Sequence, residues 1–280
     1  MQSFQGIVMF RRTFFVFCVL YFSCPQSFAD TRLVYQQNVD TNDTFELIVK
    51  GSKVGVADGG SDQLNLLFDE STATFTFIDH AYRQYTQISE QKMIDVNKRM
   101  QEKMKQMQAN LDEQLKTMTP EQQAMVKQGK MGMRMMPGMR GFGVADAQPK
   151  NHIPSMLNTR VNDYQCRRVD TFQGGQVVQS QCVAEQKSLG LTRFDYDMIL
   201  VFLRATASLA QQGAFSMGFT APPLPEAGKN INGIPIQAKH EVAGHQVSTS
   251  LIDIFQAAVD AAIFEIPENY IQAEIPLPAM

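Results

Sequence analysis

The sequence predicts an α+β fold, in which an antiparallel sheet is interrupted by a long helical hairpin and completed by one further helix. Three observations predict it. Alternating apolar and polar residues occur in short runs over residues 31–88 and again from about residue 155. Apolar residues recur every three or four positions over residues 93–118, which is helical spacing. A second helical pattern covers residues 194–212 and stops before Gly213.

Residues 1–29 are typical of a secretory signal peptide. Arg11 and Arg12 precede ten mostly apolar residues, too few to span a bilayer, and a small-residue cleavage site ends at Ala29. No charge precedes Met9, so we expect Met9 to be the true start. Later segments contain no apolar run long enough for a transmembrane helix. We therefore expect a periplasmic protein that is not an integral membrane protein.

The exported chain is predicted to be a single domain over residues 30–280, with residues 89–150 as an insertion of helical hairpin and mobile loop. The formal net charge of the full chain is −3, and removal of Arg11 and Arg12 would make it more acidic. A general nucleic-acid binder needs a basic surface. We therefore expect no nucleic-acid partner.

The elements follow in order along the chain. Strands with turns between them fill residues 31–88. Ser89 is a helix N-cap, with Ile88 and Met93 placed as a hydrophobic staple. A capping box at residues 119–122 restarts a second helix that ends at Gly129, and residues 131–154 have the glycine, proline and methionine content of a mobile loop. After the helix at 194–212, residues 213–235 suggest a flap, and 233–255 a final hairpin.

The two cysteines outside the signal peptide, Cys166 and Cys182, are predicted to form a disulfide. Their strand-like runs flank Gly174 and Gly175, which indicates a hairpin. A three-residue loop at 173–175 would place the two cysteines directly opposite one another. No Cys-x-x-Cys motif suggests redox catalysis.

Several short phrases resemble an exported bacterial family of unknown function. They lie at residues 75–85, 119–125, 163–166, 182–184 and 233–235, and in Phe264-Glu-Ile-Pro-Glu-Asn-Tyr270. That family is similar in strand order to the lipoprotein-carrier (LolA-like) half-barrels. The resemblance implies a curved antiparallel sheet, an incomplete β-barrel, wrapped around helices with room for acyl chains. It implies no ligand residues, since the family has no established site.

Sequence motifs of catalysis are missing. The chain contains no Gly-x-Ser-x-Gly, no His-Glu-x-x-His and no phosphate-binding glycine loop. We therefore expect a protein that is not an enzyme and needs no cofactor.

Methionine is the chain's unusual feature, because eleven of its 17 methionines lie between Met93 and Met139. Three interpretations stay open. The helical stripe can pack on the sheet as ordinary core. It can instead line an adaptable apolar site, formed by Met93, Met100, Met104, Met107 and Leu111. Thioethers of the following loop can bind copper(I), through Met131, Met133, Met135, Met136 and Met139.

These observations favour a non-enzymatic periplasmic binding protein for an apolar ligand or an envelope component such as a lipid or lipoprotein. The alternatives are a copper(I) or other soft-metal binding protein that uses the methionine loop, and a structural envelope protein without a ligand.

Overall fold

The computed structural model describes residues 30–38, 42–117, 151–211, 231–242 and 245–275. Six strands precede the long helix α1 (Glu90–Thr117): β1 (Asp30–Asn38), β2 (Asn42–Lys50), β3 (Lys53–Asp58), β4 (Leu64–Asp69), β5 (Thr74–Asp79) and β6 (Gln84–Ser89).

Three strands, two helices and a hairpin follow: β7 (Asn151–Val161), β8 (Tyr164–Gln173), β9 (Gln176–Ala184), α2 (Gln186–Leu189), α3 (Arg193–Gln211), β10 (Ile234–Val242) and β11 (His245–Ala257). A short 3₁₀ helix, η1 (Ala261–Phe264), and the two-residue strand β12 (Ile271–Gln272) come last.

The described strands join into one twelve-stranded sheet, in the order β12-β6-β5-β4-β3-β2-β1-β11-β10-β9-β8-β7. The sheet is mixed, because β12 runs parallel to β6 while the other described neighbours are antiparallel. The pairing of β1 with β11 connects the meander β1–β6 to the block β7–β11. In that ladder Asp30 lies opposite Ala257.

The predicted fold class, α+β with a LolA-like incomplete β-barrel and a long methionine-rich helical hairpin, is wrong. The described chain is mostly strand, forms one large mixed sheet and contains few helices. One arm of the predicted hairpin is present as α1, whereas residues 119–129 lie outside the described residues. Helical periodicity identified α1 but carried no information on the pairing of β1 with β11, which makes the sheet continuous.

The residues around Ser89 predicted the start of α1 correctly. The Ser89 hydroxyl accepts a hydrogen bond from the Lys92 backbone N–H at 3.2 Å, as an N-cap does. Ile88 and Met93 on either side of the cap are fully buried. The predicted cap is therefore confirmed, and the two residues of the predicted staple both belong to the main hydrophobic core.

The helix α3 packs on the sheet through aromatic residues. The ring of Phe202 lies 5.9 Å from that of Phe68 and 6.2 Å from that of Phe75, between centroids. Such tilted contacts stabilise a core beyond the area that they bury. These rings belong to the main hydrophobic core, which also contains Met93 and both cysteines.

A buried carboxylate fixes the start of α3 to β1. Thr192 caps the helix, since its hydroxyl accepts from the Asp195 backbone N–H at 3.1 Å and donates to the Asp195 carboxylate at 2.7 Å. The Thr31 hydroxyl donates to the same carboxylate oxygen at 2.9 Å. Asp195 is 8 % exposed, so this bond lies within the protein interior.

The cysteines form the predicted disulfide, with their Cα atoms 5.5 Å apart. The predicted register is wrong, however, because Cys182 lies opposite Arg168 rather than Cys166. The hairpin turn has two residues, Gly174 and Gly175, both with positive φ, instead of three. A β-bulge then shifts the register once more, so the bridge runs diagonally between the strands.

Strand β7 begins earlier than expected, at Asn151, so residues 151–154 are strand rather than loop. None of the described helices combines the length and the apolar character that crossing a membrane requires.

Candidate functional site

The block β7–β11 is rolled rather than flat. The turn between β7 and β8 lies three strands away from β11 in the sheet, a distance of roughly 14 Å if the sheet were flat. The side-chain amide of Asn162 in that turn nevertheless donates to the Leu251 carbonyl oxygen at 2.7 Å. The strands must therefore curl, which brings the start of β8 against β11.

The surroundings of Tyr164, two residues after Asn162, show the same contact between the start of β8 and β11. Burial raises the pKa of the Tyr164 phenol, and the negative charges of Asp253 and Asp163 raise it further. A hydrogen bond with the Ile254 backbone acts in the opposite direction. Asp253 and Ile254 belong to β11, so the two ends of the curled block also meet through the tyrosine side chain.

A groove of about 590 Å³ lies within the curl, and all five strands from β7 to β11 contribute to its lining. The volume is within the range of small-molecule sites. Side-chain amides are prominent among the lining residues: Gln179, Gln181, Gln237 and Gln246. Strands position this lining, and sites built on strands are better fixed than sites built on loops.

Three basic residues line the groove, Arg160, Arg168 and Lys239, and none of the described lining residues is acidic. The Arg168 Nε donates to the Asp170 carboxylate at 2.9 Å, just outside the lining. Arg160 is 3.8 Å from the Asp163 carboxylate, and both side chains are largely exposed. Lys239 makes no ion pair with any described residue. The described part of the lining therefore has an excess of positive charge.

Ser180 lies at the centre of the charged end. It pairs with Lys239 across β9 and β10 and with Asp170 across β8 and β9. Its hydroxyl donates to Asp170 at 2.6 Å and accepts from the Arg168 guanidinium at 3.3 Å. The register thus brings one lysine and one arginine to opposite sides of a single serine.

The other end of the groove is apolar. Val177 and Val178 are consecutive in β9, yet both line the groove. Thr171 pairs with Gln179 and Phe172 with Val177, so Val178 is the extra residue of a β-bulge. A bulge can redirect a side chain that regular alternation would send to the other face. The two valines are 50 % and 37 % exposed, respectively.

The disulfide forms part of this site, since Cys182 is among the lining residues. Its partner Cys166 lies in β8, and both cysteines are buried in the main core. Next to Cys182 in the ladder, the Gln237 amide donates to the Ser250 hydroxyl at 3.1 Å. The bridge and this hydrogen bond connect β8, β9, β10 and β11 at the groove.

The residues predicted to bind an apolar ligand, four methionines and one leucine, belong to α1 and not to the strands that line the groove. Met93 is fully buried in the core beneath α1. The backbones of Met100, Met104, Met107 and Leu111 belong to α1, but their side chains are outside what the structure describes. Their role as an apolar site stays a prediction.

The predicted copper(I) ligands, Met131, Met133, Met135, Met136 and Met139, all lie outside the described residues. Copper binding therefore also stays a prediction. Across the described segments, no group of three or more His, Cys, Asp or Glu side chains is arranged to hold a metal ion.

Sequence reasoning did not identify the groove. Its basic residues come from three separate strands and form no local motif. One signal was available: β9 carries glutamine or serine on both of its faces at residues 179–181, whereas a strand buried on one face alternates. Polar residues on both faces of a strand indicate that neither face is packed entirely in an apolar core, so one face borders solvent or a polar cavity.

Comparisons with known proteins assign no family. No protein-family model matches the chain, and no curated protein matches it. An uncharacterised conserved protein from Thermus thermophilus is similar in structure, with 4 % identity, a TM-score of 0.40, and coverage of 88 % of this chain and 90 % of that one. PNGF-II gives 7 % identity, a TM-score of 0.38, and coverage of 88 % of this chain but 31 % of its own. Similarity at this level supports no conclusion on fold or function.

Proposed function

We propose that this chain is a non-enzymatic binding protein of the exported compartment and holds a small envelope component in the groove between β7 and β11. The observation that supports the proposal most is the composition of the groove. It combines a volume of about 590 Å³ with hydrogen-bonding amides, three cations and three valines, of which Val177 and Val178 are the most exposed. A site with apolar surface and a few convergent polar groups is typical of ligand binding.

The same lining favours binding over catalysis. A general acid or base is most often a histidine or a carboxylate, and the described lining contains neither. The sulfur of Cys182 is bonded to Cys166 and is not free to act as a nucleophile. The remaining groups are amides, hydroxyls and cations, which hold and orient a ligand.

Two features of the chain support the proposal that it is exported. Disulfides persist in oxidising compartments, and the chain contains a bridged pair. Residues 1–29 have the pattern of a signal peptide, and Asp30, the first residue after the predicted cleavage site, already belongs to β1. We propose export by a cleaved signal peptide to the periplasm. Expression of the full chain, followed by osmotic-shock release and N-terminal sequencing, should give a protein that starts at Asp30; retention of residues 1–29 would contradict this.

The binding proposal is tested by filling the groove. Val178→Trp inserts a large ring at its apolar end. Ile252→Trp is the matched control, because Ile252 is 42 % exposed on β11, similar to Val178, and does not line the groove. Each protein is purified from the envelope fraction under native conditions, and organic extracts are compared by mass spectrometry.

We expect a co-purifying small molecule in wild type and in the Ile252→Trp protein, and its loss in Val178→Trp. Urea unfolding of all three proteins verifies that the fold is retained. If no molecule co-purifies, or if it is retained equally in Val178→Trp, the groove is not the binding site and the proposal fails.

A further inference from the structure

We infer that the groove binds an amphiphilic anion, with a phosphate or carboxylate group at the Lys239 and Arg168 end and a short hydrocarbon part on Val177 and Val178. This inference rests on the proposed function, because it assigns the chemistry of a ligand to the same groove. It follows from the charge at one end of the groove, the apolar surface at the other, and the strand register that joins them.

The charged end can hold one anionic group from two sides. Lys239 lies directly opposite Ser180 on β10, and the Arg168 guanidinium reaches Ser180 from β8. Neighbouring strands are about 4.8 Å apart, so two long basic side chains over the same serine can both reach one group of oxygens. Arg168 uses its Nε on Asp170, which leaves terminal N–H groups able to donate to a ligand.

The charge balance favours a negative ligand. Asp170 offsets the charge of Arg168, but Lys239 has no ion-pair partner among the described residues. Arg160 adds a further positive charge at the β7 side of the groove and is only loosely paired. Hydrogen bonds between ionised partners are about twice as strong as neutral ones. An anionic group would therefore balance the positive charge that the described residues carry at this end of the groove.

The apolar end explains why a free inorganic anion is not the best ligand. The β-bulge turns Val177 and Val178 together into the groove, where they remain in contact with water. A short alkyl chain would remove both side chains from water, which is favourable in proportion to the area buried. Val178 and Ser180 are two residues apart on β9, so the two ends are separated by about 7 Å along the strand. A small amphiphile spans that distance.

Isothermal titration calorimetry with three probes tests this assignment on the purified, disulfide-bonded chain. Hexyl phosphate carries both parts of the ligand, inorganic phosphate carries the anion alone, and hexylamine carries the same alkyl chain with the opposite charge. We expect hexyl phosphate to bind about tenfold or more tightly than either other probe, because each part contributes separately.

Two variants assign the two parts of the ligand to residues of the groove, and a third variant is the control. Lys239→Gln should weaken hexyl phosphate about tenfold. Lys187→Gln removes an exposed lysine of α2 that does not line the groove and should leave the affinity unchanged. The double variant Val177→Ser and Val178→Ser should weaken hexyl phosphate and leave the affinity for inorganic phosphate unchanged.

Equal binding of hexylamine and hexyl phosphate, or equal effects of Lys239→Gln and Lys187→Gln, would overturn the inference. Loss of the co-purifying molecule in Val178→Trp would then still support a binding protein, with a different ligand chemistry. Retention of that molecule in Val178→Trp removes the proposed function whatever the three probes show. The two experiments therefore distinguish a failure of the ligand assignment from a failure of the proposed function.

Discussion

The side-chain amide of Asn162 donates a 2.7 Å hydrogen bond to the carbonyl oxygen of Leu251, a residue 89 positions further along the chain. This one bond connects the turn between β7 and β8 to a strand three places away in the sheet. It marks where the block β7–β11 curls, and the groove lies within that curl. The residue that makes the bond also carries a positive φ of 51°, a conformation that asparagine tolerates better than most residues.

Two substitutions of Asn162 separate the contribution of its side-chain hydrogen bond from the cost of its left-handed backbone conformation. Asn162→Gly keeps the backbone conformation and loses the amide, so unfolding free energy should fall by about 1 kcal/mol. Asn162→Ala also places a Cβ atom in the left-handed region and should cost about 1 kcal/mol more. Urea unfolding measures both differences.

Arg83→Gly serves as the control, since Arg83 has a φ of 52° and its side chain makes no hydrogen bond with a described residue. That substitution should leave stability unchanged or raise it slightly. If Asn162→Gly behaves like Arg83→Gly, the bond to Leu251 contributes nothing to the stability of the curl.

The Asp195 carboxylate should be among the most costly side chains to remove near α3. Asp195→Ala deletes an acceptor for the Thr31 and Thr192 hydroxyls and leaves a buried donor on Thr31 unpaired. We expect a loss of about 2 to 3 kcal/mol. Asp197→Ala is the matched control two residues further along the helix, because the only ion pair of Asp197 with a described residue is an exposed one with Arg193 at 3.5 Å.

The control should change stability by no more than about 0.5 kcal/mol in chemical denaturation. A similar effect of the two alanine substitutions would mean that the helix dipole alone explains both acids. A double-mutant cycle between Thr31→Val and Asp195→Ala isolates the contact between β1 and α3.

Local patterns in the sequence located most elements of the fold. Alternation of apolar residues marked the strands of the first half, and Ser89 with Met93 marked the start of α1. These features depend only on residues close together in the chain. The pairing of β1 with β11 joins residues about 220 positions apart, and no periodicity encodes it. For that reason the sequence did not predict one continuous mixed sheet.

The sequence did not predict the groove for a related reason. The disulfide was predictable from two cysteines on either side of a glycine turn, but its diagonal geometry depends on a bulge at Val178. A single inserted residue reverses which face each following side chain occupies. The same bulge brings Val177 and Val178 together. Sequence alternation assumes regular strands, so it cannot anticipate a site that a bulge creates.

Removing the disulfide should destabilise the block that carries the groove. The double variant Cys166→Ala and Cys182→Ala loses a bridge with a sequence separation of 16 and should cost about 3 kcal/mol. Guanidinium unfolding under oxidising conditions measures the difference. Dithiothreitol should reduce the stability of wild type by a similar amount and leave that of the double variant unchanged. Equal stability of oxidised wild type and the double variant would show that the sheet alone holds β8 against β9.

Stability should also fall at alkaline pH because of one buried phenol. Tyr35 is fully buried, its hydroxyl donates to the Pro235 carbonyl at 3.1 Å, and burial raises its pKa well above the usual value of about 10. The folded state therefore binds the phenolic proton more tightly than the unfolded chain. This contribution to stability is complete below about pH 10 and is lost as the pH rises towards the folded-state pKa.

Tyr35→Phe should lower the free energy of unfolding by about 1 kcal/mol at pH 7 and make its decline above pH 10 shallower than in wild type. Part of the decline should remain, since the pKa values of Tyr164 and Tyr196 are also raised, mainly by burial. Tyr82→Phe is the control, because Tyr82 is 76 % exposed and should keep the wild-type slope. Urea titrations at pH 8 and pH 10.5 compare the three proteins. Identical slopes for Tyr35→Phe and wild type would show that the Tyr35 phenol keeps its proton equally well in the folded and unfolded chains.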